Sequence, residues 1–212
     1  MKLIKSIFMI SSVLILSVMA TNSVFSDTAK VDNNEFSTGT WHVAQARVVI
    51  NEVYYDVDGT HGGDGNVANS GEWIELYNAG DAAVNLKDWT ITDNTTMRTI
   101  HAASHILNPG QFALIAKDNS VWSLYWSVPA GVEVIELGNV IGGGLSNSGD
   151  RLILKDDGGN IVDQISYGTD ITILDPAIID VADGHSIERN PAGIDTDTAA
   201  DFVNRTTPTP GS

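Results

Sequence analysis

The sequence predicts an all-β domain folded as an immunoglobulin-like β sandwich. From Arg47 onward, short apolar runs rich in β-branched and aromatic residues alternate with turn residues, which is the pattern of many short strands. Only residues 119–126 have the apolar spacing of a short helix. Many short strands without a long helix favour a sandwich over a barrel.

Nine strands are expected from these runs. Turns are predicted at Asn78–Asp81, at Pro109-Gly110 and at Asp157–Asn160, where the residues tolerate or pre-set turn dihedral angles. The last of these predicts a hairpin, and its aspartates are better explained by the turn than by metal binding. The predicted strands are Arg47–Tyr55, Glu72–Asn78, Ala83–Leu86, Trp89–Thr92, His105–Leu107, Phe112–Ala116, Val132–Glu136, Arg151–Lys155 and Ile161–Ser166.

The first twenty residues predict a secretory signal peptide. Lys2 and Lys5 precede an apolar run from Ile7 to Met19, and small residues follow. We therefore expect a leader at residues 1–20, a polar segment at 21–45, a β-sandwich domain at 46–212, and a secreted or cell-surface location. An uncleaved leader that anchors the chain in a membrane stays open as an alternative.

The composition excludes several kinds of function. A formal net charge of −16 repels nucleic acid, so nucleic acid is not an expected partner. The chain has no cysteine, which rules out disulfides, thiolate zinc sites and cysteine nucleophiles. No cofactor is expected to be required, although an exported acidic protein can meet and bind Ca²⁺.

The polar segment after the leader resembles the start of mature camelysin and of the TasA biofilm fibre protein. The matching elements are Phe25-Ser26-Asp27-Thr28 and Phe36-Ser37-Thr38-Gly39-Thr40. The resemblance implies prokaryotic export and residence in an extracellular matrix or envelope. Without it, the segment would be interpreted as a linker, because it has neither helical nor strand periodicity over most of its length.

The body of the chain resembles the lamin tail domain family. The resemblance rests on INEV (50–53), GEWIELYNAG (71–80), LKDWTITD (86–93), LNPGQFALIAKD (107–118), LSNSGDRLILKDDGGNIVDQISYG (145–168), GHSIERNPAG (184–193) and the segment 201–212, in the family's order. It implies an immunoglobulin-like sandwich that acts as a non-catalytic module, in bacteria often in secreted proteins. The chain departs from the family by the insertion DVDGTHGGDGNVANSG and by lacking a coiled-coil rod.

Glu72 and Glu75 lie close together in sequence, as the two acids of a glycosidase could. Successive side chains of a strand point to opposite faces, so a regular strand separates these two carboxylates. Instead, we expect Glu75 to be partly buried and to pair with Arg189, with Glu52 as a further acid of this structural polar network. Trp73, Tyr77, Trp89, Phe112, Leu152 and Leu154 are expected in the core or on a sheet face.

The insertion offers a metal candidate. Asp56, Asp58 and Asp64 supply oxygen ligands from a glycine-rich loop, which suits Ca²⁺. The loop lacks the glycine and the closing glutamate of a helix-loop-helix calcium site, since His61 and Val67 stand there. A solvated loop without a metal is the alternative.

The predicted helix carries Trp122, Tyr125 and Trp126. Flat aromatic faces with a wet rim can stack on sugars, but the same side chains can cap the end of a sandwich core, and both interpretations stay open.

Taken together, the sequence predicts a non-catalytic structural or adhesive module at the cell surface or in an extracellular matrix. Its partner would be an unknown protein or polysaccharide, and self-association is possible. The alternatives are a calcium-assisted carbohydrate- or protein-binding module and, less favoured, a hydrolase that uses Glu75.

Overall fold

The computed structural model describes residues 28–31, 34–37, 42–63 and 71–212. Two compact units divide the chain, residues 1–43 and residues 44–212. The predicted leader lies outside the described residues, as does most of the camelysin-like segment. In the first unit, strands β1 (Thr28–Val31) and β2 (Asn34–Ser37) form an antiparallel pair where sequence periodicity indicated only a linker.

The second unit is built almost entirely from strands. In chain order they are β3 (Val48–Tyr54), β4 (Trp73–Asn78), β5 (Val84–Asn85), β6 (Thr90–Thr92), β7 (Met97–Thr99), β8 (Ile106–Leu107), β9 (Phe112–Ala116), β10 (Glu133–Glu136), β11 (Gly149–Lys155), β12 (Ile161–Gly168), β13 (Ser186–Arg189) and β14 (Phe202–Arg205). One α-helix, α1 (Ser120–Tyr125), and two 3-10 turns, Gly59–His61 and Ala199–Asp201, complete the described elements. None of the helices in the described part of the chain is long and apolar enough to span a membrane.

The strands form two main sheets. A six-stranded sheet has the order β10-β9-β4-β3-β13-β14, and only β9 and β10 run parallel within it. A four-stranded antiparallel sheet has the order β12-β11-β6-β7. Strands β5 and β8 pair separately as a short ribbon.

One apolar core lies between the two sheets. The six-stranded sheet contributes Ile50, Val53, Ile74, Leu76 and Ile187, and the four-stranded sheet contributes Ile91, Leu152, Leu154 and Ile165. Trp89 also belongs to this core, as predicted. The chain is therefore the all-β, immunoglobulin-like two-sheet domain that the sequence predicts.

A second apolar cluster covers the opposite, outer face of the six-stranded sheet. Tyr54, Trp73 and Leu114 meet Val121 and Trp122 of α1 there. Tyr77 and Phe112, on the same face, are half-buried, and their ring centroids are 4.7 Å apart. The sheet is thus buried on both sides, although only one side faces the second sheet.

Each predicted strand and the predicted helix appears where the sequence placed it, with ends that differ by at most two residues. Strands β7, β13 and β14 were not predicted. Their sequences, MRT, SIER and FVNR, contain charged or amide side chains that break the apolar alternation used to find strands. The buried position of β13 depends on ion pairs and hydrogen bonds that form only in the folded domain.

Candidate functional site

Three glutamates stand side by side on neighbouring strands of the six-stranded sheet. Glu188 of β13 is opposite Glu52 of β3, and Glu52 is opposite Glu75 of β4. Residues directly opposite each other in antiparallel strands share a face, and this is the outer face, which also carries Trp73. Glu188 is 4% exposed, and Glu52 and Glu75 are fully buried. We call these three residues the glutamate row; like charges in such positions repel.

Most of the hydrogen-bond donors that contact the carboxylates of the glutamate row are neutral groups. Glu52 accepts hydrogen bonds from the Ser186 hydroxyl at 2.5 Å and from the Thr209 backbone N–H at 3.1 Å. Glu75 accepts from Nδ2 of Asn51 at 2.8 Å and from the backbone N–H of Gly211 at 2.6 Å.

A single arginine adjoins the row. Glu188 forms an ion pair with the guanidinium of Arg205 in the edge strand β14. Glu52 also feels the positive charge of Arg205. Among the described residues, Arg205 is thus the one cation that adjoins the three buried acids of the row.

Burial changes the protonation of the row. Burial, together with a smaller effect of the neighbouring Glu52, raises the pKa of Glu75 to about 8 against the opposing effect of the Gly211 and Asn51 hydrogen bonds. Burial also raises the pKa of Glu52, although its hydrogen bonds to Ser186 and Thr209 oppose the change. Glu75 is therefore largely protonated near neutral pH.

The last residues of the chain cover this row. We call Thr206–Ser212 the C-terminal strap, in which Pro208 and Pro210 are buried and Thr209 and Gly211 donate to the glutamates. Gly211 has a φ of 90°, and a Cβ atom there would lie 2.8 Å from Cδ of Pro129. The strap thus fits between the sheet and the loop that precedes β10, with room only for glycine at this position.

A second group of acids, the buried Asp163 and Asp201 and the half-buried Asp195, surrounds Arg189 on the inner face of the same sheet. The Arg189 side chain is 2% exposed, and its Nη2 lies 3.0 Å from Oδ2 of Asp163 on β12. Its Nη1 lies 3.1 Å from Asp195 and 3.3 Å from Asp201. Its Nε donates to the Ile50 carbonyl at 2.9 Å, next to the irregularity in β3.

These contacts connect the two sheets, because Asp163 also accepts the Ile50 backbone N–H at 2.7 Å. Burial raises the pKa of Asp163, and the positive charge of Arg189 opposes that rise. The guanidinium additionally lies 4.5 Å from the ring centre of Phe202. Arg189 is thus a structural centre that uses its full set of donors.

The predicted pairing of Glu75 with Arg189 is wrong. Both residues are buried and hydrogen-bonded, but strand alternation places Glu75 on the outer face and Arg189 on the inner face of the sheet. None of the ion pairs in the described residues joins them. The predicted network of Glu52, Glu75 and Arg189 therefore separates into two systems, with the sheet between them.

The separation of Glu72 from Glu75 follows the strand alternation that the sequence indicated. Glu72 is buried and accepts the Leu145 backbone N–H at 3.0 Å, whereas Glu75 faces the strap. The two acids of GEWIELYN thus hold different loops and do not flank one common substrate position.

The insertion loop is the predicted calcium site. The Asp58 carboxylate caps the 3-10 turn by accepting from the backbone N–H groups of Thr60 at 3.0 Å and His61 at 2.9 Å. The Asp56 carboxylate accepts from Nδ2 of Asn147 at 2.6 Å. Asp64 lies outside the described residues. Among the residues that are described, no group of three or more His, Asp or Glu side chains could hold a metal ion.

The aromatic residues of α1 belong to the cluster on the outer face. Trp122 is buried against Trp73, with ring centroids 6.0 Å apart, so it presents no open face for a sugar. Tyr125 and Trp126 are half-buried, and Trp126 stacks on His61 of the insertion loop at 4.3 Å. The predicted platform of three aromatic rings is therefore reduced to Tyr125 and Trp126, because Trp122 is part of the core.

The chain matches one known protein family over more than half of its length. The model of the Lamin Tail Domain family matches residues 42–169. The chain belongs to the lamin tail domain family. A search of curated proteins finds no match.

The family match ends just after β12, although the sequence resemblance could be followed to Ser212. Strands β13 and β14, Arg189 and the C-terminal strap all lie beyond the matched residues. In this lamin tail domain, that following segment completes the six-stranded sheet and supplies donors to Glu52, Glu75 and Asp163.

Several important residues were missed at the level of sequence. Glu188, Asp163 and Asp201 are buried acids, and the strap holds two of the three glutamates of the row. The alternation of Ile187 and Glu188 in SIER was a usable signal for a strand. Most partners of these residues had no sequence signal, because they lie 12 to 157 positions away along the chain.

Proposed function

We propose that this lamin tail domain is a non-catalytic structural or adhesive module that acts outside the cell, at the cell surface or in an extracellular matrix. The observation that supports it best is the use of the acids of GEWIELYN. Glu72 and Glu75 accept hydrogen bonds from Leu145 and Gly211, so they hold loops and the C-terminal strap in place. Carboxylates that hold separate segments of the chain fit a structural role, whereas a glycoside hydrolase needs a pair of them flanking one bond.

The proposed location is supported by the sequence of the amino-terminal segment. Residues 1–20 have the basic start and the apolar run of a bacterial export signal, and the camelysin-like elements follow. The strongly acidic composition without cysteine fits a soluble extracellular protein that depends on packing for its stability.

We assign partner contact to the loop between β12 and β13. Ile178 is buried and exchanges backbone hydrogen bonds with Ser166 and Gly168. The Tyr55 hydroxyl donates to Asp180 at 2.8 Å and accepts the Val181 N–H at 2.9 Å.

This anchored loop presents apolar side chains to solvent. Ile171 is 58% exposed and Ile179 is 82% exposed. A rigid loop with exposed apolar side chains binds a partner at a low entropic cost, because little ordering remains to be done.

Attachment of the full chain to surfaces tests the proposal. Beads coated with the purified protein should attach to cells or matrix of the source organism and to one another, without turnover of polysaccharide substrates. The double variant Ile171→Ser/Ile179→Ser should lower attachment by about tenfold, which corresponds to roughly 1.4 kcal/mol of contact energy. Leu124→Ser is the matched control, since Leu124 is 68% exposed on α1. Unchanged attachment in the double variant, or turnover lost in Glu75→Gln, would contradict the proposal.

A calcium-assisted binding module is the second candidate function. Tyr125 and Trp126 leave part of their rings accessible beside the insertion loop, where His61 stacks on Trp126. A sugar could stack there. In this candidate, Asp56, Asp58 and Asp64 would hold Ca²⁺ and fix the loop against the aromatic side chains.

A further inference from the structure

We propose that the C-terminal strap and the glutamate row form a proton-controlled latch, in which the strap stays on the sheet while Glu75 carries a proton and lifts off when Glu75 ionises. The proposal goes beyond the structural or adhesive role and does not depend on it. It gives the domain a conformational response to alkaline conditions.

Closing the strap costs free energy when the carboxylates of the row are ionised, because it removes them from water. Glu52 and Glu75 are fully buried, and the strap residues Thr209 and Gly211 are among the groups that touch their carboxylates. If the strap lifts, water can reach both carboxylates. When the strap closes, the two carboxylates lose contact with water and gain only two neutral N–H donors in its place. The two acids also stand opposite each other in the sheet, so their negative charges repel.

The groups that face Glu75 favour its neutral form. From β3 it meets the acid Glu52 and the neutral amide of Asn51, and beyond Glu52 lies Glu188 of β13. On the other side, β9 places the apolar Leu114 opposite Glu75. The strap itself has no ionisable side chain, and neither has the adjoining loop, residues 126–132.

The cation that adjoins the row, Arg205, is at the opposite end from Glu75 and does not neutralise it. Arg205 of β14 is paired with Glu188, at the far end of the row, and its side chain is 39% exposed. Arg189 is directed to the opposite face of the sheet. Ionised Glu75 thus faces the acid Glu52, and none of the ion pairs in the described residues gives it a cation.

Linkage between protonation and closure gives the direction of the response. Burial under the strap raises the pKa of Glu75, to about 8, whereas a solvated glutamate keeps its ordinary value near 4.5. Between about pH 4.5 and pH 8, closure of the strap is therefore coupled to the uptake of a proton by Glu75. Raising the pH through this range favours the open form, by up to about tenfold in the opening equilibrium for each pH unit.

The strap can open without unfolding the domain. Strand β14 ends at Arg205, before the strap begins, so the sheet hydrogen bonds between β13 and β14 are independent of it. The strap is held by the two glutamates, by the buried Pro208 and Pro210, and by the contact of Gly211 with Pro129. Such a short segment with few contacts belongs to the least stable part of a fold.

Amide hydrogen exchange of the full chain, resolved by NMR and corrected for intrinsic exchange rates, measures strap opening. Between pH 6 and pH 8, the opening equilibrium reported by the Thr209 and Gly211 amides should rise by about ten- to a hundredfold. Amides in β11, at the centre of the other sheet, should keep their protection. In Glu75→Gln, which has a neutral side chain of the same shape, the rise for the strap amides should disappear.

Two further variants separate the latch from general loosening. Glu136→Gln removes an exposed carboxylate of β10 and should leave the wild-type pH response intact. Gly211→Ala introduces a Cβ atom against Pro129 at a positive φ, so it should raise strap opening at every pH without changing the pH slope. Strap protection that does not vary with pH in the wild type, or a slope that persists in Glu75→Gln, would overturn the proposal.

Discussion

The two groups of buried acids lie on opposite faces of one sheet and are compensated in opposite ways. On the inner face, Asp163, Asp195 and Asp201 share the guanidinium of Arg189 at 3.0 to 3.3 Å. On the outer face, Glu52 and Glu75 have hydroxyl, amide and backbone donors, and a single arginine stands at the end of the row.

Buried carboxylates can therefore give a protein either rigidity or a response to pH, depending on which groups compensate them. Pairing with a cation favours the charged form of a buried acid, and the pair of Asp163 with Arg189 joins the two sheets. A buried acid that has only neutral donors instead takes up a proton, because a proton neutralises it more effectively than a hydrogen bond does. The same sheet therefore has a fixed side and a titratable side.

Replacing Arg189 should have the largest effect. Arg189→Met keeps the apolar part of the side chain but leaves three carboxylates without their cation, so we expect a loss of about 3–5 kcal/mol in the free energy of unfolding. Urea denaturation at neutral pH, followed by tryptophan fluorescence, measures it. The loss should be smaller at low pH, because protonation of Asp163, whose pKa burial raises, removes one of the unpaired charges.

Arg151→Met is the matched control for this variant. Arg151 pairs with Asp170 at 3.1 Å, but its side chain is 30% exposed. An exposed pair contributes little, so this variant should change stability by about 0–1 kcal/mol. Equal losses in the two arginine variants would contradict the central role that we give to Arg189.

Glu75→Gln should have a smaller effect of the opposite sign. The pKa of Glu75 in the folded domain, about 8, lies above its ordinary value of 4.5, so ionisation costs stability. This cost is absent below pH 4.5, grows as the pH rises towards 8, and is constant above that. At pH 8.5, the variant should exceed the wild type by about 1–3 kcal/mol, less than the full shift implies because strap opening relieves the burial.

The same denaturation experiment, repeated from pH 5 to pH 9, checks this sign. Near pH 5, the variant and the wild type should differ by about 1 kcal/mol or less, and the difference should grow with pH. A variant that is less stable than the wild type at pH 8.5 would show that ionised Glu75 stabilises the domain.

Asp58→Ala should have the smallest effect of the three. It removes the side-chain cap of the 3-10 turn, which costs about 0.5–2 kcal/mol by analogy with helix caps. We expect the same fall of the thermal midpoint in Ca²⁺ and in chelator. A wild-type midpoint that rises with Ca²⁺, and a rise that is lost in Asp64→Asn, would instead favour the calcium-assisted module.

The local spacing of apolar residues in the sequence was sufficient to predict most strands and the helix. The alternation of Phe112–Ala116 and the apolar runs around Trp73 and Leu152 predicted strands that the structure contains. The spacing of Val121, Trp122 and Tyr125 likewise predicted α1. These signals are local, because a strand or a short helix must present its apolar side chains at the period of its own backbone.

The candidate site was only partly predictable. The sequence indicated that Glu52, Glu75 and Arg189 would be buried polar residues, and all three are. It paired Glu75 with the wrong group because β13 was not recognised as a strand, so the face of Arg189 was unknown. Once SIER is placed beside β3, alternation assigns Glu188 to the row and Arg189 to the core side.

Periodicity and local motifs are enough to derive the all-β class, the positions of most strands, the family and the separation of Glu72 from Glu75. The choice of donor for each buried acid, by contrast, follows from the packing of the whole domain. Glu52 receives the N–H of Thr209, and Asp163 receives Arg189, across 157 and 26 positions of chain. The pairing of such distant residues depends on sheet order and on the face of each strand, and these are settled only when the whole core packs.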